Sequence, residues 1–172
     1  MMMAKKALVI GKFQPITKGH IDLFKQIKKK GFDTLLIGVG HCGIKNREHP
    51  LSFDQVKNML KTALEDMHGI EYKIYKIPDI PDDKKYASHV KKIIKDIDKN
   101  TVLFSSNKRT RDCFTRYKHK LKINAPKHNV NVHPAEVRQK IARGENWLKH
   151  MPKKLHKYMR KHLKDIKKHC CK

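Results

Sequence analysis

Short, wholly apolar runs alternate along this chain with longer stretches whose apolar residues recur at three- and four-residue steps. "ALVIG" (residues 7–11) and "TLLIGVG" (residues 34–40) read as strands buried on both faces, and "TVLFSS" (residues 101–106) as a third. "EYKIYKI" (residues 71–77) alternates at period two and predicts a strand stopped by "PDIPDD". Between them, "KGHIDLFKQIKKK" places Ile21, Phe24 and Ile27 on one helical face, with Thr17 at the cap. Ser52 and Gln55 have capping-box spacing for a helix running to about His68. "YASHVKKIIKDI" and "KRTRDCFTRYK" carry helical spacing. "HPAEVRQKIARGE" opens with Pro134 in a first helical turn and ends near Gly144. Strand–helix alternation of this kind specifies an α/β fold with a doubly wound parallel sheet. Helices close the chain. Ligands of such sheets gather beyond the carboxyl ends of the strands, so the loops after Ile10, Gly38 and Phe104 are expected to meet at one crevice.

The 172 residues suffice for a single domain with a substantial core, and no repeat or low-complexity linker divides them. Forty-one Lys and Arg stand against 16 Asp and Glu, a net charge of +25. Such a surface favours anionic partners: nucleotides, polyphosphates, nucleic acid or acidic lipid. Cys42, Cys113, Cys170 and Cys171 form no C-x-x-C pair, which argues against a disulfide framework or a structural zinc site. The twelve histidines include no H-E-x-x-H. The opening residues are too short for a signal peptide, and no apolar run approaches a membrane span, so the reading is cytoplasmic with no membrane partner. The tail, residues 152–172, is rich in lysine yet keeps helical period. Leu155, Met159 and Leu163, with Tyr158 and Ile166, form an apolar stripe expected to pack it on the domain. Its charge predicts weak, non-specific polyanion binding.

The first strand runs directly into "GKFQPITKGH" (residues 11–20): two glycines, two lysines, an amide and a histidine, with no carboxylate. Thr17, Lys18, Gly19 and His20 fit the T-x-G-H form of the signature of the nucleotidylyltransferase superfamily. The lead "GKFQP" resembles the G-R-F-Q-P of archaeal-type nicotinamide mononucleotide adenylyltransferases, with Lys12 in the place of Arg. "IPDI" (residues 77–80), "YASHV" (residues 86–90), "FSSN" (residues 104–107) and "EVRQKIARGENWLKHMP" (residues 136–152) resemble further segments of that family in order and spacing. The resemblance implies a Rossmann-like sheet and transfer of AMP from ATP to nicotinamide mononucleotide, giving NAD and pyrophosphate. It also implies Mg²⁺ carried by ATP, no metal ligands of the protein's own, and homo-oligomers.

The chemistry explains the missing carboxylate. A phosphate nucleophile is ionised at neutral pH and needs no general base. What it needs is positioning, and stabilisation of charge on the α-phosphate and the leaving pyrophosphate. Helix N-terminal N–H groups, a Lys and a His supply these. By resemblance, His20, Thr17 and Lys12 take the catalytic roles. Gly11, Phe13, Gln14, Gly19, Arg47, Asn107 and Arg138 contact ATP, with Gly19 admitting the nucleotide close to the backbone. Asp79 and Tyr86 contact the second substrate, although Asp79 equally suits a turn and Tyr86 a core. Trp147 is expected to serve packing.

One segment departs from the family. Its second ATP motif begins with small hydroxyl or glycine residues, where this chain has His133, Pro134 and Ala135. Proline removes an N–H donor and alanine a hydroxyl. A sister enzyme using CTP or another phosphate acceptor therefore stays open, as does a degenerate nucleotide- or nucleic-acid-binding protein on the same scaffold. The string "GVGHCG" (residues 38–43) spells G-x-G-x-x-G, but a basic loop follows where a helix should open, so it does not read as a dinucleotide fingerprint.

Overall fold

The computed structural model describes residues 3–41 and 43–170, so Cys42 and Cys171 lie outside the described residues. The chain forms two compact units, one of residues 3–11, 26–41 and 68–127 and the other of residues 12–25, 43–67 and 128–170.

The first unit holds the sheet. Strands β1 (Lys6–Gly11), β2 (Thr34–Val39), β3 (Glu71–Lys76), β4 (Val102–Phe104) and β5 (Lys122–Asn124) lie in the order β3-β2-β1-β4-β5. Every pair is parallel, with Leu8 opposite Leu36 on one side and Leu103 on the other. The winding direction reverses at β1, which makes this a Rossmann-like doubly wound sheet. Ala7, Leu8, Leu35, Leu36, Ile37 and Leu103 are fully buried, so the central strands are covered on both faces, as parallel sheets require. Helices α3 (Asp83–Ile93) and α4 (Lys108–Thr115) turn Ala87, Val90, Cys113 and Phe114 into a cluster with Leu8, Leu36 and Leu103. Gly38 is glycine for a packing reason: a Cβ there would lie 3.0 Å from Ile77 Cγ1.

The sequence reading missed β5. Its three residues carry no apolar run, and it forms because β4 offers it a free edge, with Ser105 N–H donating to the Asn124 carbonyl at 3.2 Å. Strand β4 is also shorter than the run that predicted it.

The second unit is helical. It contains the first turns of α1 (Lys18–Lys29), then α2 (Phe53–Leu64), α5 (Pro134–Arg143), two short 3₁₀ turns and α6 (His156–Cys170). The capping box at α2 forms as predicted: Ser52 Oγ accepts from Gln55 N–H, and Gln55 Oε1 accepts from Ser52 N–H. The same Gln55 side-chain amide donates to Asp165 at 2.8 Å, and the Gln55 backbone carbonyl accepts from the Tyr158 hydroxyl at 2.9 Å, tying α2 to α6. Met159 and Ile166 of α6 are fully buried, as is Leu155 just before it, whereas Leu163 sits at the margin of the stripe. Gly144 ends α5 in the left-handed region at φ 69°. Trp147 is buried edge-on against His156, the packing role expected of it. Among the described residues, no helix is long and apolar enough to cross a membrane.

Leu36 tests the sheet core. Leu36→Ala should cost about 2–5 kcal/mol, the range for a fully buried leucine, and should lower the urea midpoint without changing the slope. A loss below 1 kcal/mol would show that the cluster around it repacks.

Candidate functional site

The chain leaves β1 at Gly11 and enters a loop whose residues are almost all inside. Phe13, Gln14, Pro15, Ile16 and Thr17 are buried, while Lys12 and Lys18 are exposed. Phe13 adopts φ 52°, a conformation costly for a bulky side chain, and its ring packs on His20 and Phe24 with centroids 5.0 and 6.2 Å apart.

Gln14 behaves like a strand in miniature. Its Nε2 donates to the Leu51 carbonyl and its Oε1 accepts from Leu51 N–H, both at 2.9 Å. Its backbone carbonyl accepts from Arg138 Nη1 at 2.8 Å. The side chain is thus committed to the protein. Through these bonds Gln14 joins three segments: the 12–17 loop, the loop ending at Leu51, and α5.

Helix α1 starts where Thr17 O accepts from His20 and Ile21 N–H. Thr17, expected at this cap, has its hydroxyl 3.2 Å from His20 Nδ1 and donating to the Val132 carbonyl at 3.4 Å. Thr17 N–H donates to His20 Nδ1 at 3.0 Å. A backbone N–H can only donate, so Nδ1 carries no proton and the neutral ring holds its proton on Nε2. Burial pushes the pKa of His20 down from 6.5 to about 4. At neutral pH His20 is therefore an uncharged donor through Nε2.

Gly19 is crowded by the protein itself. A Cβ would meet the Val130 carbonyl at 3.2 Å and the Val132 carbonyl at 3.5 Å. The Val130 carbonyl is the tight neighbour that a side chain would press on, a reason the motif does not disclose. No side chain of its segment carries the signal, so it could not be found in the sequence.

Arg138 is half-buried on α5, and among the described residues it has no ion pair. Burial makes its charge costly and lowers its pKa; Cys170 and Glu48 oppose this, and Arg47 adds to it. An anion between the two arginines would relieve that cost. Arg47 is exposed on the basic loop, and its carbonyl accepts from Cys170 Sγ at 3.3 Å. His133 precedes α5 without a side-chain capping bond, and Pro134 takes the first helical position. Proline suits the helix there, since that N–H has no helical partner, but the donor is lost to any phosphate.

The remaining candidates belong to the first unit, at the carboxyl edge of its sheet. The Gly11 carbonyl accepts from Gly40 N–H at 3.0 Å. After β3, Asp79 is held by His41, with Oδ2 3.1 Å from Nδ1 and Oδ1 accepting from His41 N–H at 3.4 Å. His89 Nε2 lies 2.8 Å from the Pro78 carbonyl, steadying that turn. Tyr86 packs edge-on to Phe114 and joins the core cluster, so its ring is partly spent on packing. Asn107 caps α4, its Oδ1 accepting from Thr110 N–H at 3.1 Å. Among the described residues, no group of three or more His, Cys, Asp or Glu is arranged to hold a metal ion.

The low pKa of His20 has a consequence for stability. Unfolded, His20 titrates near 6.5; folded, at about 4. Between these values the unfolded chain binds more protons, so stability rises with pH and is lost on acidification from about 6.5 to 4. The loss through His20 should be on the order of 3 kcal/mol. His20→Asn keeps an acceptor for Thr17 N–H but cannot titrate, so its stability should fall by about one proton's slope less across that window. Parallel pH profiles for the two proteins would show that His20 charges freely in the fold.

Comparison with known proteins follows this geometry closely. The model of the cytidylyltransferase-like family matches residues 8–120, more than half of the chain. The nicotinamide-nucleotide adenylyltransferase of Archaeoglobus fulgidus is 27% identical over 172 aligned residues, covering 94% of this chain and 97% of that one. That of Thermoplasma volcanium is 26% identical over 148 residues, covering 86% and 81%. Among solved structures, a bifunctional NMN adenylyltransferase/ADP ribose pyrophosphatase from Francisella tularensis superposes with a TM-score of 0.80 at 22% identity. The match takes in 98% of this chain but about half of that larger protein, 53% of its length. A second structure of it, complexed with AMP and a Mn ion, gives a TM-score of 0.76. With a family model matched over more than half of its length, the chain belongs to the cytidylyltransferase-like family.

Proposed function

We propose that this chain is an adenylyltransferase that joins AMP from ATP to nicotinamide mononucleotide, forming NAD and releasing pyrophosphate. The phosphate oxygen of the mononucleotide attacks the α-phosphorus of ATP. The bond from that phosphorus to the bridging oxygen breaks, and its electron pair leaves on pyrophosphate. The observation that carries the reaction class is the Thr17 N–H to His20 Nδ1 bond, which aims a neutral Nε2–H from the start of α1 with no carboxylate base beside it. The identity of the acceptor rests on the archaeal relatives, whose shared activity spans most of both chains.

In this reading His20 donates to the phosphate oxygens as charge builds on them. Thr17 holds the ring through Nδ1, and Lys12, exposed beside the loop, supplies a point charge. Gly11, Phe13, Gln14 and Gly19 shape the ATP loop. Arg138 and Arg47 receive the triphosphate, and Asn107 contributes from the cap of α4. Asp79 and Tyr86 face the second nucleotide. Mg²⁺ enters as part of the MgATP substrate. In this reading the chain is a single nucleotidyltransferase-like domain, in homo-oligomers as the family resemblance implies.

His20→Ala should lower kcat by roughly 10²-fold or more, with a smaller change in KM, as for removal of an oxyanion-type donor. Wild-type turnover would remove His20 from the chemistry. Product identification with ATP and with CTP, against a panel of phosphate acceptors, tests the reaction itself. Pyrophosphate release with CTP but not ATP would make this a sister cytidylyltransferase, and release with neither would leave a nucleotide binder.

The start of α5 sets a second test. His133, Pro134 and Ala135 lack about two neutral donors, each worth on the order of 1 kcal/mol net. Replacing them with Ser, Gly and Thr should tighten ATP binding by roughly ten- to a hundredfold with kcat retained. Calorimetry that finds no tightening would mean that α5 does not meet the triphosphate.

A further inference from the structure

Helix α6 has two opposite faces. Met159 and Ile166 are buried, and the Tyr158 hydroxyl and Asp165 carboxylate are bonded to Gln55 of α2. Turned away from these are Lys157, Arg160, Lys161, Lys164, Lys167 and Lys168, all six exposed. They recur at three- and four-residue steps, so at about 100° per residue they share an arc of roughly 120°. Over eleven residues at 1.5 Å each, that stripe is about 16 Å long.

The stripe is unneutralised. Among the described residues none of the six is in an ion pair, and the helix's one acid, Asp165, is engaged on the other face by Gln55 and His162. The contrast with α4 is plain: there Lys108 and Arg116 both pair with Asp112, and Arg109 pairs with Asp83. On α6, Lys157 and Lys161, Arg160 and Lys164, and Lys164 and Lys168 are like charges one turn apart, an arrangement that works against a helix. Packing of the buried face holds the helix in spite of this, and so holds the cations in a fixed row.

We infer that the outward face of α6 binds the phosphate backbone of duplex nucleic acid, separately from nucleotidyl transfer. Duplex DNA carries one negative charge per about 1.7 Å of axis, so a row about 16 Å long meets roughly ten of them. The exposed arc has no aromatic residue to stack on bases, so the contact reads the backbone without sequence preference. It also has no apolar side chain to enter a bilayer, which an interfacial membrane helix needs.

The full-length protein is titrated into a labelled random-sequence DNA duplex of about 20 base pairs from 50 to 200 mM KCl. The logarithm of the binding constant should fall with that of salt with a slope of about −5, near 0.9 per neutralised phosphate. Replacing Lys157, Arg160, Lys161 and Lys164 with Gln should weaken binding by roughly 10²-fold or more at 100 mM salt and make the slope shallower by about 3. Pyrophosphate release and the circular dichroism spectrum should not change. A control with Lys91, Lys92, Lys95 and Lys99 replaced by Gln loses the same charge from the other unit and should retain the wild-type slope. Equal weakening in the two variants would reduce the effect to net charge and overturn the proposal. So would a wild-type slope shallower than about −2, or stronger binding to phosphatidylserine vesicles than to the duplex.

Discussion

The Gln14 side chain gives one hydrogen bond to Leu51 and takes one back, and its own carbonyl receives Arg138. Three segments far apart in sequence meet on this buried residue. Its exposure is 2%, so the Leu51 N–H and carbonyl would be left unpaired in a low-dielectric setting if the side-chain amide were removed. The loop ending at Leu51 and the guanidinium of Arg138 therefore meet on one residue, the first through its side-chain amide and the second through its backbone carbonyl. Leu51 in turn stands next to the capping box at Ser52 and Gln55, and Gln55 reaches α6. The anion-binding unit is built outward from this junction.

Within that frame the electrostatics run against simple intuition. A motif with lysines and a histidine suggests a nest of positive charge, yet the histidine nearest the helix start is neutral. Thr17 N–H takes its Nδ1, and burial disfavours the imidazolium. In the proposed reaction a neutral donor would have a use: it could follow charge as it develops on a phosphate without holding the released pyrophosphate by a full charge. Full charges stand further out, on exposed Lys12 and Arg47 and half-buried Arg138.

The surplus of cations has a different origin on different elements. At α4, Lys108 and Arg116 are balanced by Asp112 and Arg109 by Asp83. On α6, among the described residues, the six outward cations stand in an unpaired row, and the helix survives because Met159 and Ile166 are buried. The +25 net charge is thus a sum of paired surface and at least one organised stripe. Composition alone does not separate the two.

Much of the architecture was legible in the residues. Apolar runs such as "TLLIGVG" predict buried parallel strands because a strand covered on both faces has no polar side to show. Ser52, Pro134 and Gly144 marked helix ends because cap chemistry is local and acts over three or four residues. The T-x-G-H stretch placed His20 at a helix start for the same reason. Strand β5 was not legible, since its pairing comes from the free edge of β4 and not from its own side chains. Nor were the commitment of Gln14 to Leu51, the tilt of the Thr17 hydroxyl toward Val132, or the Val130 carbonyl on which a side chain at Gly19 would press. By itself the sequence determined the order of elements, the sign of the charge and the residue types at the site. Only the tertiary structure decided the protonation of His20, the partner of each polar group and which cations stand unpaired, because these depend on backbone groups and burial brought together from distant parts of the chain.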